Sequence, residues 1–183
     1  MLRGILSLLV ISLFTCAPAQ RLTNDTSVLY DYDVEARLDE LGLTLEEPGA
    51  PIANYVNVVR SGNLLFLAGK GPRSAEGEVI AGKLGRDLSV EEGYAAARSV
   101  GVTQLGVLKA ELGDLNRVVR IVKVLGMVNA TPAFTDHPEV INGFSDLMVE
   151  VFGERGKHAR AAVGMGSLPR DMACEIELVV EVR

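Results

Sequence analysis

The fold is decided by HARAAVGMGSLPRDMACEIELVVEVR, residues His158 to Arg183. Small and apolar residues around Arg160 favour a strand, turn residues at 167–171 end it, and the run 174–182 predicts a second strand. Glu175 stands at the start of that second strand. A guanidinium that opens one strand and a carboxylate that opens the next can face each other across a cleft. Such a pair can hold a small carboxylate substrate beside an activated water.

The composition predicts one domain. The chain has 183 residues, of which 48% are hydrophobic and 5% aromatic, so the core is built mainly from aliphatic side chains. This length suffices for a single core but hardly for two. The formal net charge of −6 gives no sequence-independent attraction for nucleic acid or for anionic membranes.

Residues 1–19 have the pattern of an export signal. A short basic start with Arg3 precedes the apolar run 4–14, and Ala17-Pro18-Ala19 follows as an A-x-A cleavage site. The apolar run is too short to cross a hydrocarbon core of about 30 Å, so no membrane span is expected in the mature chain. We expect cleavage near Ala19 and a periplasmic or secreted protein. A lipoprotein anchored through Cys16 stays open as an alternative.

The mature chain divides into two parts. Residues 20–45 are predicted to form a polar tether followed by a short helix, which begins near Asp33 and stops at Gly42. Residues 46–183 form the main domain. Its first elements are predicted strands at 55–60 and 64–69, which the turn sequence between them joins as a hairpin.

Two amphipathic helices are predicted behind the hairpin. Ser89 and Glu92 form a capping box, and apolar residues then recur at helical spacing as far as Leu112, before Gly113. Gly101 on the apolar face predicts close contact between this helix and the sheet. Asp136 is predicted to cap the second helix.

The run 118–128 is apolar at nearly every position, which is typical of a strand covered on both faces. Helices cover one face, and we expect another subunit to cover the other. The order hairpin, helix, strand, helix, strand, strand predicts an α+β fold, with a mixed sheet and two main helices packed on one face.

From about residue 50 onward the chain resembles the reactive-intermediate deaminase family, also called Rid or YjgF-like. The resemblance is carried by the segments Ala159-Arg160-Ala161-Ala162-Val163, Leu168-Pro169, Glu175-Ile176-Glu177, Val140-Ile141-Asn142-Gly143-Phe144 and Ala68-Gly69-Lys70-Gly71-Pro72. It implies a chorismate-mutase-like fold and a homotrimer whose sheets form a central barrel with three clefts between subunits. It further implies hydrolysis of 2-imino or enamine acids to 2-oxo acids and ammonia, without a cofactor.

The resemblance also implies roles for five residues. Arg160 would bind the substrate carboxylate, for which a bidentate guanidinium is well matched. Glu175 would position and deprotonate the attacking water, and backbone groups near Gly69 would contact the imine. Tyr55 would cover the cleft, and Asn142 would hold a group at its edge. Arg160 and Glu175 are thus the predicted catalytic pair.

Departures from the family pattern keep other functions open. Ala68, Lys70 and Ala162 stand where many members have Ser, Gln and Cys. One alternative is a non-catalytic protein that binds a small carboxylate on the same trimer. Another is an endoribonuclease, which would need a basic groove or aromatic stacking surface that the sequence lacks.

No metal site is expected, because the two histidines and Cys174 lack metal-ligand spacing.

Glu175 also has a simpler interpretation, since it shares alternate strand positions with Glu177 and Glu181, and such a row is usually a solvated face.

Overall fold

A computed structural model describes residues 29–49 and 53–183. The predicted signal at 1–19 lies outside these residues. The helices are α1 (Val34–Glu40), α2 (Val90–Leu112) and α3 (His137–Phe152), and the strands are β1 (Val58–Ser61), β2 (Leu64–Lys70), β3 (Val118–Asn129), β4 (Ala159–Met165) and β5 (Cys174–Val182). Short 3-10 turns lie at Leu115–Arg117, Gly153–Gly156 and Pro169–Asp171.

The five strands form one mixed sheet in the order β1-β2-β5-β3-β4. β3 and β4 are parallel, and the other neighbouring pairs are antiparallel. Side chains of α2 and α3 pack with the buried side chains of the sheet in one core. The predicted α+β fold, with two main helices on one face of a mixed sheet, is confirmed. Within residues 29–49 and 53–183, no helix has both the length and the apolar character that a membrane span requires.

The ends of α2 follow from local sequence. Ser89 Oγ accepts a hydrogen bond from the Glu92 amide at 3.2 Å, and the Glu92 carboxylate accepts one from the Ser89 amide at 2.8 Å. Gly113 closes the helix with φ +73°, a left-handed conformation that glycine adopts without a Cβ penalty. The predicted capping box and helix stop are both confirmed.

The two main helices cross closely, and glycines make this possible. A Cβ at Gly101 of α2 would lie 2.7 Å from Leu147 of α3, and a Cβ at Gly143 of α3 would overlap the Tyr94 carbonyl. The prediction that Gly101 approaches the sheet is therefore wrong: its close neighbour is the other helix. Asp136 begins α3, but its side chain makes no capping hydrogen bond.

The end of the predicted tether is packed on the domain. Tyr30 is buried, and its hydroxyl donates to the Val118 carbonyl at 2.7 Å. The Tyr32 hydroxyl donates to the Val151 carbonyl at 2.9 Å. Residues 29–32 therefore belong to the folded unit, because two aromatic rings find both apolar neighbours and hydrogen-bond partners there. The rest of the predicted tether, 20–28, lies outside the described residues.

The face of the sheet turned away from the helices is uncovered in a single chain and carries several large apolar side chains beside the charged Lys123 and Glu177. Phe66 of β2 is 45% exposed and Val163 of β4 is 40% exposed. Leu125 and Met127 of β3 lie between them on this face and are half-buried. Large apolar side chains on a sheet face of this kind mark an interaction surface more often than a solvated one.

Candidate active site

Glu175 lies in a pocket of about 350 Å³ at one end of the sheet. We name this cavity the Glu175 pocket and define it by Tyr55, Gly69, Lys70, Thr103, Met172 and Glu175, which are among its lining residues. Three of the five residues predicted for the site, Tyr55, Gly69 and Glu175, are thus brought together. The pocket size falls at the lower end of the range for small-molecule sites.

Gly69 leaves the space that the Glu175 carboxylate occupies. The register of β2 against β5 shifts between Leu67 and Lys70, and this irregularity carries Gly69 over the start of β5. A Cβ at Gly69 would overlap Glu175 Oε1 and lie 3.0 Å from Glu175 Cγ and Cδ. Only glycine therefore lets the backbone approach the carboxylate this closely.

The environment of Glu175 favours its protonated form. Burial raises the pKa of the carboxyl above its ordinary value, and the negative charge of Glu177 raises it further. Within the described part of the chain, Glu175 forms no ion pair. A carboxylate with a raised pKa accepts a proton from water more readily than an ordinary one does.

Gln104 supports the pocket from behind. It is fully buried on α2, and its Nε2 donates to the Ala68 carbonyl at 3.0 Å and to the Ile176 carbonyl at 2.9 Å. These two carbonyls belong to residues adjacent to Gly69 and Glu175. Sequence reasoning missed Gln104, although a lone amide on an otherwise apolar helix face was a usable signal.

The turn at Pro169–Asp171 forms another wall. Arg170 and Asp171 both have left-handed backbone, with φ +55° and +54°, which is strained for residues with a Cβ. The buried Asn129 side chain holds this turn, because its Nδ2 donates to Asp171 Oδ1 at 2.8 Å. Lys83 Nζ in turn donates to Asn129 Oδ1 at 2.7 Å. Strain of this kind persists where surrounding contacts hold it, which is common at functional sites.

Arg160 lies in a separate hydrogen-bond network. Its Nη1 donates to Asn142 Oδ1 at 2.9 Å and to Ser145 Oγ at 3.0 Å, both on α3. Ser145 Oγ also lies 3.0 Å from His158 Nε2, and His158 Nδ1 lies 2.6 Å from the Gly156 carbonyl. We call Arg160, Asn142, Ser145 and His158 the Arg160 network.

The network fixes the tautomer of His158. A carbonyl oxygen can only accept, so Nδ1 carries the proton and Nε2 accepts from the Ser145 hydroxyl. Burial lowers the pKa of the His158 ring, and the positive charge of Arg160 lowers it further. Ser145 and His158 were missed as site residues. The i, i+3 spacing of Asn142 and Ser145 on one helix was the available signal.

Arg160 and Glu175 do not meet within one chain, although the sequence indicated that such a pair can face each other across a cleft. β3 lies between β4 and β5, so the two residues are two strands apart. Arg160 pairs with Val124 of β3, which in turn pairs with Leu178 of β5. The side chains of Val124 and Leu178 are buried under the helices, so Arg160 points to the same face. Glu175 is three residues from Leu178 on β5, so its side chain points to the opposite face of the sheet.

The described residues, 29–49 and 53–183, contain no group of three or more His, Cys, Asp or Glu side chains that could hold a metal ion. Cys174 is buried, and burial raises the pKa of its thiol to about 12. Such a thiol is almost entirely protonated at neutral pH and is a poor nucleophile.

Known proteins share this architecture. Protein TCP17 of Trypanosoma cruzi is 44% identical over 157 residues, which cover 85% of this chain and 98% of the relative. The crystal structure of Atu1372 from Agrobacterium tumefaciens, a protein with unknown function, is 43% identical with a TM-score of 0.75, covering 82% of this chain and 94% of that one. The crystal structure of a "putative endoribonuclease" from Shewanella oneidensis MR-1 is 34% identical with a TM-score of 0.78, covering 82% of this chain and all of that one.

A family model described as "YjgF/chorismate mutase-like, putative endoribonuclease" matches residues 35–182. The match spans α1 to the end of β5, and so includes both the Glu175 pocket and the Arg160 network. The chain belongs to the YjgF, or Rid, family.

Proposed function

We propose that this protein hydrolyses 2-imino acids to 2-oxo acids and ammonia, at a site made by two subunits of a homotrimer. The proposal rests on one finding: the predicted residues lie at two separate places on one chain. A carboxylate with a raised pKa lies in the Glu175 pocket, and an arginine suited to bind a substrate carboxylate lies at the opposite face. The two can act on one small molecule only across a subunit boundary.

The uncovered sheet face supports the trimer. Its exposed apolar side chains, among them Phe66 and Val163, need a partner, and a second copy of the same sheet would supply one. Arg160 is on β4, the edge strand of the sheet, where a neighbouring subunit can approach it. We therefore expect the Arg160 network of one subunit to adjoin the Glu175 pocket of the next.

Arg160 would bind the substrate carboxylate. Asn142 and Ser145 accept hydrogen bonds from one of its terminal nitrogens, which orients the planar guanidinium before substrate arrives. A guanidinium that is already oriented loses little entropy when it binds a carboxylate through two parallel hydrogen bonds. The imine carbon is then held at a fixed position relative to Glu175.

Glu175 would transfer the protons. It accepts a proton from water as the water oxygen bonds to the carbon of the protonated imine, which gives a neutral carbinolamine. It returns this proton to the nitrogen, and as the carbon–nitrogen bond breaks and ammonia leaves, it takes the proton of the hydroxyl group, which becomes the carbonyl. That last proton leaves with the ammonia as ammonium. One water is consumed and one ammonia released, so no oxidant, metal or cofactor is needed. The raised pKa of Glu175 suits a group that must both accept and donate a proton.

An imine-trapping assay tests the proposal. An amino-acid oxidase generates 2-imino acids, semicarbazide traps those that escape hydrolysis, and the protein from residue 20 onward is added. The wild-type protein should suppress trapping, whereas Arg160→Ala and Glu175→Gln should each lower kcat/KM by at least about a hundredfold. Glu111→Gln makes the same carboxylate-to-amide change at an exposed position of α2 and should behave as wild type. Unchanged trapping with wild-type protein for every imine tested would contradict the proposal.

A carboxylate-binding protein without catalysis is the second candidate. Ala68 and Ala162 present methyl groups where the family resemblance expects polar or thiol side chains, whereas the Arg160 guanidinium is oriented by Asn142 and Ser145, as a carboxylate-binding group would be. In that case the wild-type protein would not suppress trapping. It would still bind a 2-oxo acid, and Arg160→Ala would abolish the binding.

We also propose that the protein is exported, on the pattern of basic start, apolar run and A-x-A site in residues 1–19. The intact mass of the protein from its native host should correspond to a chain that begins near residue 20. A mass that includes Met1 would contradict export by cleavage, and a lipid-sized addition at Cys16 would indicate a lipoprotein.

A further inference from the structure

Three basic residues line the Glu175 pocket and take no part in the reaction proposed above. They are Lys70, Arg73 and Arg170, and the one acidic side chain in the lining is Glu175. The pocket therefore carries an excess of positive charge in a chain whose formal net charge is −6. A positively charged pocket on a negatively charged protein indicates that the pocket favours anions.

None of the three cations is neutralised by a carboxylate of the described chain. The ion pairs there use Arg37, Arg86, Arg98, Lys109 and Lys157. Lys70 Nζ donates to the uncharged Asn57 Oδ1 at 2.6 Å, and Arg73 Nη1 donates to the Gly77 carbonyl at 2.7 Å. These neutral acceptors orient the side chains and leave their charges uncompensated.

Lys70 is the least solvated of the three. It is half-buried, and burial lowers the pKa of its ammonium, with a further contribution from the charge of Arg73. An ammonium that is partly removed from water, without a counter-ion and near a second cation, is in an unfavourable environment. A bound carboxylate would offset both effects.

Lys70 also directly follows Gly69, whose backbone borders the Glu175 carboxylate. Lys70 and Glu175 line the same pocket, so an anionic group bound by Lys70 shares this cavity with the reacting centre and is separate from the carboxylate that Arg160 binds. Within the described residues, Lys70 and Glu175 form no ion pair with each other.

We propose that the preferred substrate is a 2-imino dicarboxylic acid, whose second carboxylate binds to Lys70 with support from Arg73 and Arg170. This deepens the function proposed above and rests on it for the reacting group. Arg160 of the neighbouring subunit binds the first carboxylate, and Lys70 binds the carboxylate of the side chain. A pocket of about 350 Å³ has room for a chain of four or five carbons.

Competing imines of similar length test this specificity. The ratio of kcat/KM for the imine of glutamate to that for the imine of methionine should exceed one in the wild-type protein. Lys70→Gln should lower this ratio about tenfold, the cost of losing one charge-assisted hydrogen bond in a partly desolvated site. Lys70→Arg should retain most of the preference. Lys157→Gln, at an exposed lysine outside the pocket, should leave the ratio as in wild type.

A binding measurement keeps the specificity separate from catalysis. By calorimetry, 2-oxoglutarate should bind more tightly than 2-oxobutanoate, and Lys70→Gln should remove most of the difference. If no imine is hydrolysed but this preference is found, the deaminase proposal fails and the dicarboxylate site stands. Equal affinity for the two oxo acids, or a kcat/KM ratio that Lys70→Gln and Lys157→Gln change alike, would overturn the dicarboxylate proposal.

Discussion

The Glu175 pocket and the Arg160 network hold their charged groups in opposite ways. Arg160 is tied by Asn142 and Ser145, and its guanidinium is oriented by neutral acceptors on α3. Glu175 makes no ion pair with the described residues, and the space around it is kept open by the absence of a Cβ at Gly69. The contrast fits the proposed roles, because a group that binds substrate benefits from being held, whereas a proton-transfer group benefits from incomplete solvation and a raised pKa.

The two regions therefore predict different mutational behaviour. A change in the pocket that displaces the carboxylate should act on the chemical step. A change in the network that loosens the guanidinium should act on substrate affinity. Substitutions at Gly69 and Ser145, together with the pH dependence of stability, test whether this division holds.

The largest effect is expected from Gly69→Ala. The new Cβ would overlap Glu175 Oε1, and the end of a flexible side chain yields more easily than backbone, so the carboxylate should move rather than the fold. Misplacing a catalytic group by about 1 Å costs about a hundredfold in rate, and we expect a fall in kcat of that order. The free energy of unfolding should fall by only about 1–3 kcal/mol.

Imine-trapping kinetics and urea unfolding measure the two effects of Gly69→Ala. Gly166→Ala is the matched control, because a Cβ at Gly166 has no heavy atom within 4 Å. A Gly69→Ala protein that retains wild-type kcat would show that the position of the carboxylate does not limit the reaction.

A smaller effect is expected from Ser145→Ala. Arg160 keeps its bond to Asn142 but loses the Ser145 hydroxyl, and His158 Nε2 loses its donor. We expect KM to rise about tenfold with little change in kcat, because the arginine proposed to bind the substrate loses one of the hydrogen bonds that orient it. Ser145→Thr keeps the hydroxyl and should restore KM. Equal loss of kcat in both variants would contradict a role in positioning Arg160.

The smallest effect is expected in the dependence of stability on pH. The contributions of His158 and Glu175 to this dependence should have opposite signs. The His158 pKa is below its ordinary value of 6.5, so the unfolded chain takes up a proton at higher pH than the folded chain does. The free energy of unfolding should therefore fall as the pH drops below about 6.5. The Glu175 pKa is above its ordinary value of 4.5, so the folded chain binds the proton more tightly and stability should fall as the pH rises above about 4.5.

Urea unfolding of the wild type, His158→Gln and Glu175→Gln between about pH 4 and about pH 8 separates these contributions. His158→Gln should reduce the loss of stability that occurs as the pH drops below about 6.5. Glu175→Gln should reduce the loss that occurs as the pH rises above about 4.5. Identical pH profiles for all three proteins would mean that neither group has a different pKa in the folded and unfolded chains.

Local sequence was sufficient for most element bounds. The helix predicted from residue 90 to 112 and the strand predicted over 118–128 agree with α2 and β3 to within a residue, because caps and periodicity act over a few neighbours. Strand β1 begins at Val58 rather than at Tyr55, which leaves Tyr55 free to line the pocket. Family resemblance pointed to Tyr55, Gly69, Asn142, Arg160 and Glu175 as residues of one site, and roles for all five remain proposals.

The sequence by itself determined the two-layer α+β fold, since its alternation and helical spacing require one sheet and two amphipathic helices. Only the tertiary structure decided that β3 lies between β4 and β5, and so that Arg160 and Glu175 lie on opposite faces of one sheet. It also decided that Lys70 shares the pocket with two other cations, and that Gln104 and Ser145 support the site. The physical reason is range: propensity and periodicity act between neighbours in sequence, whereas strand order and shared cavities depend on contacts between residues far apart in the chain.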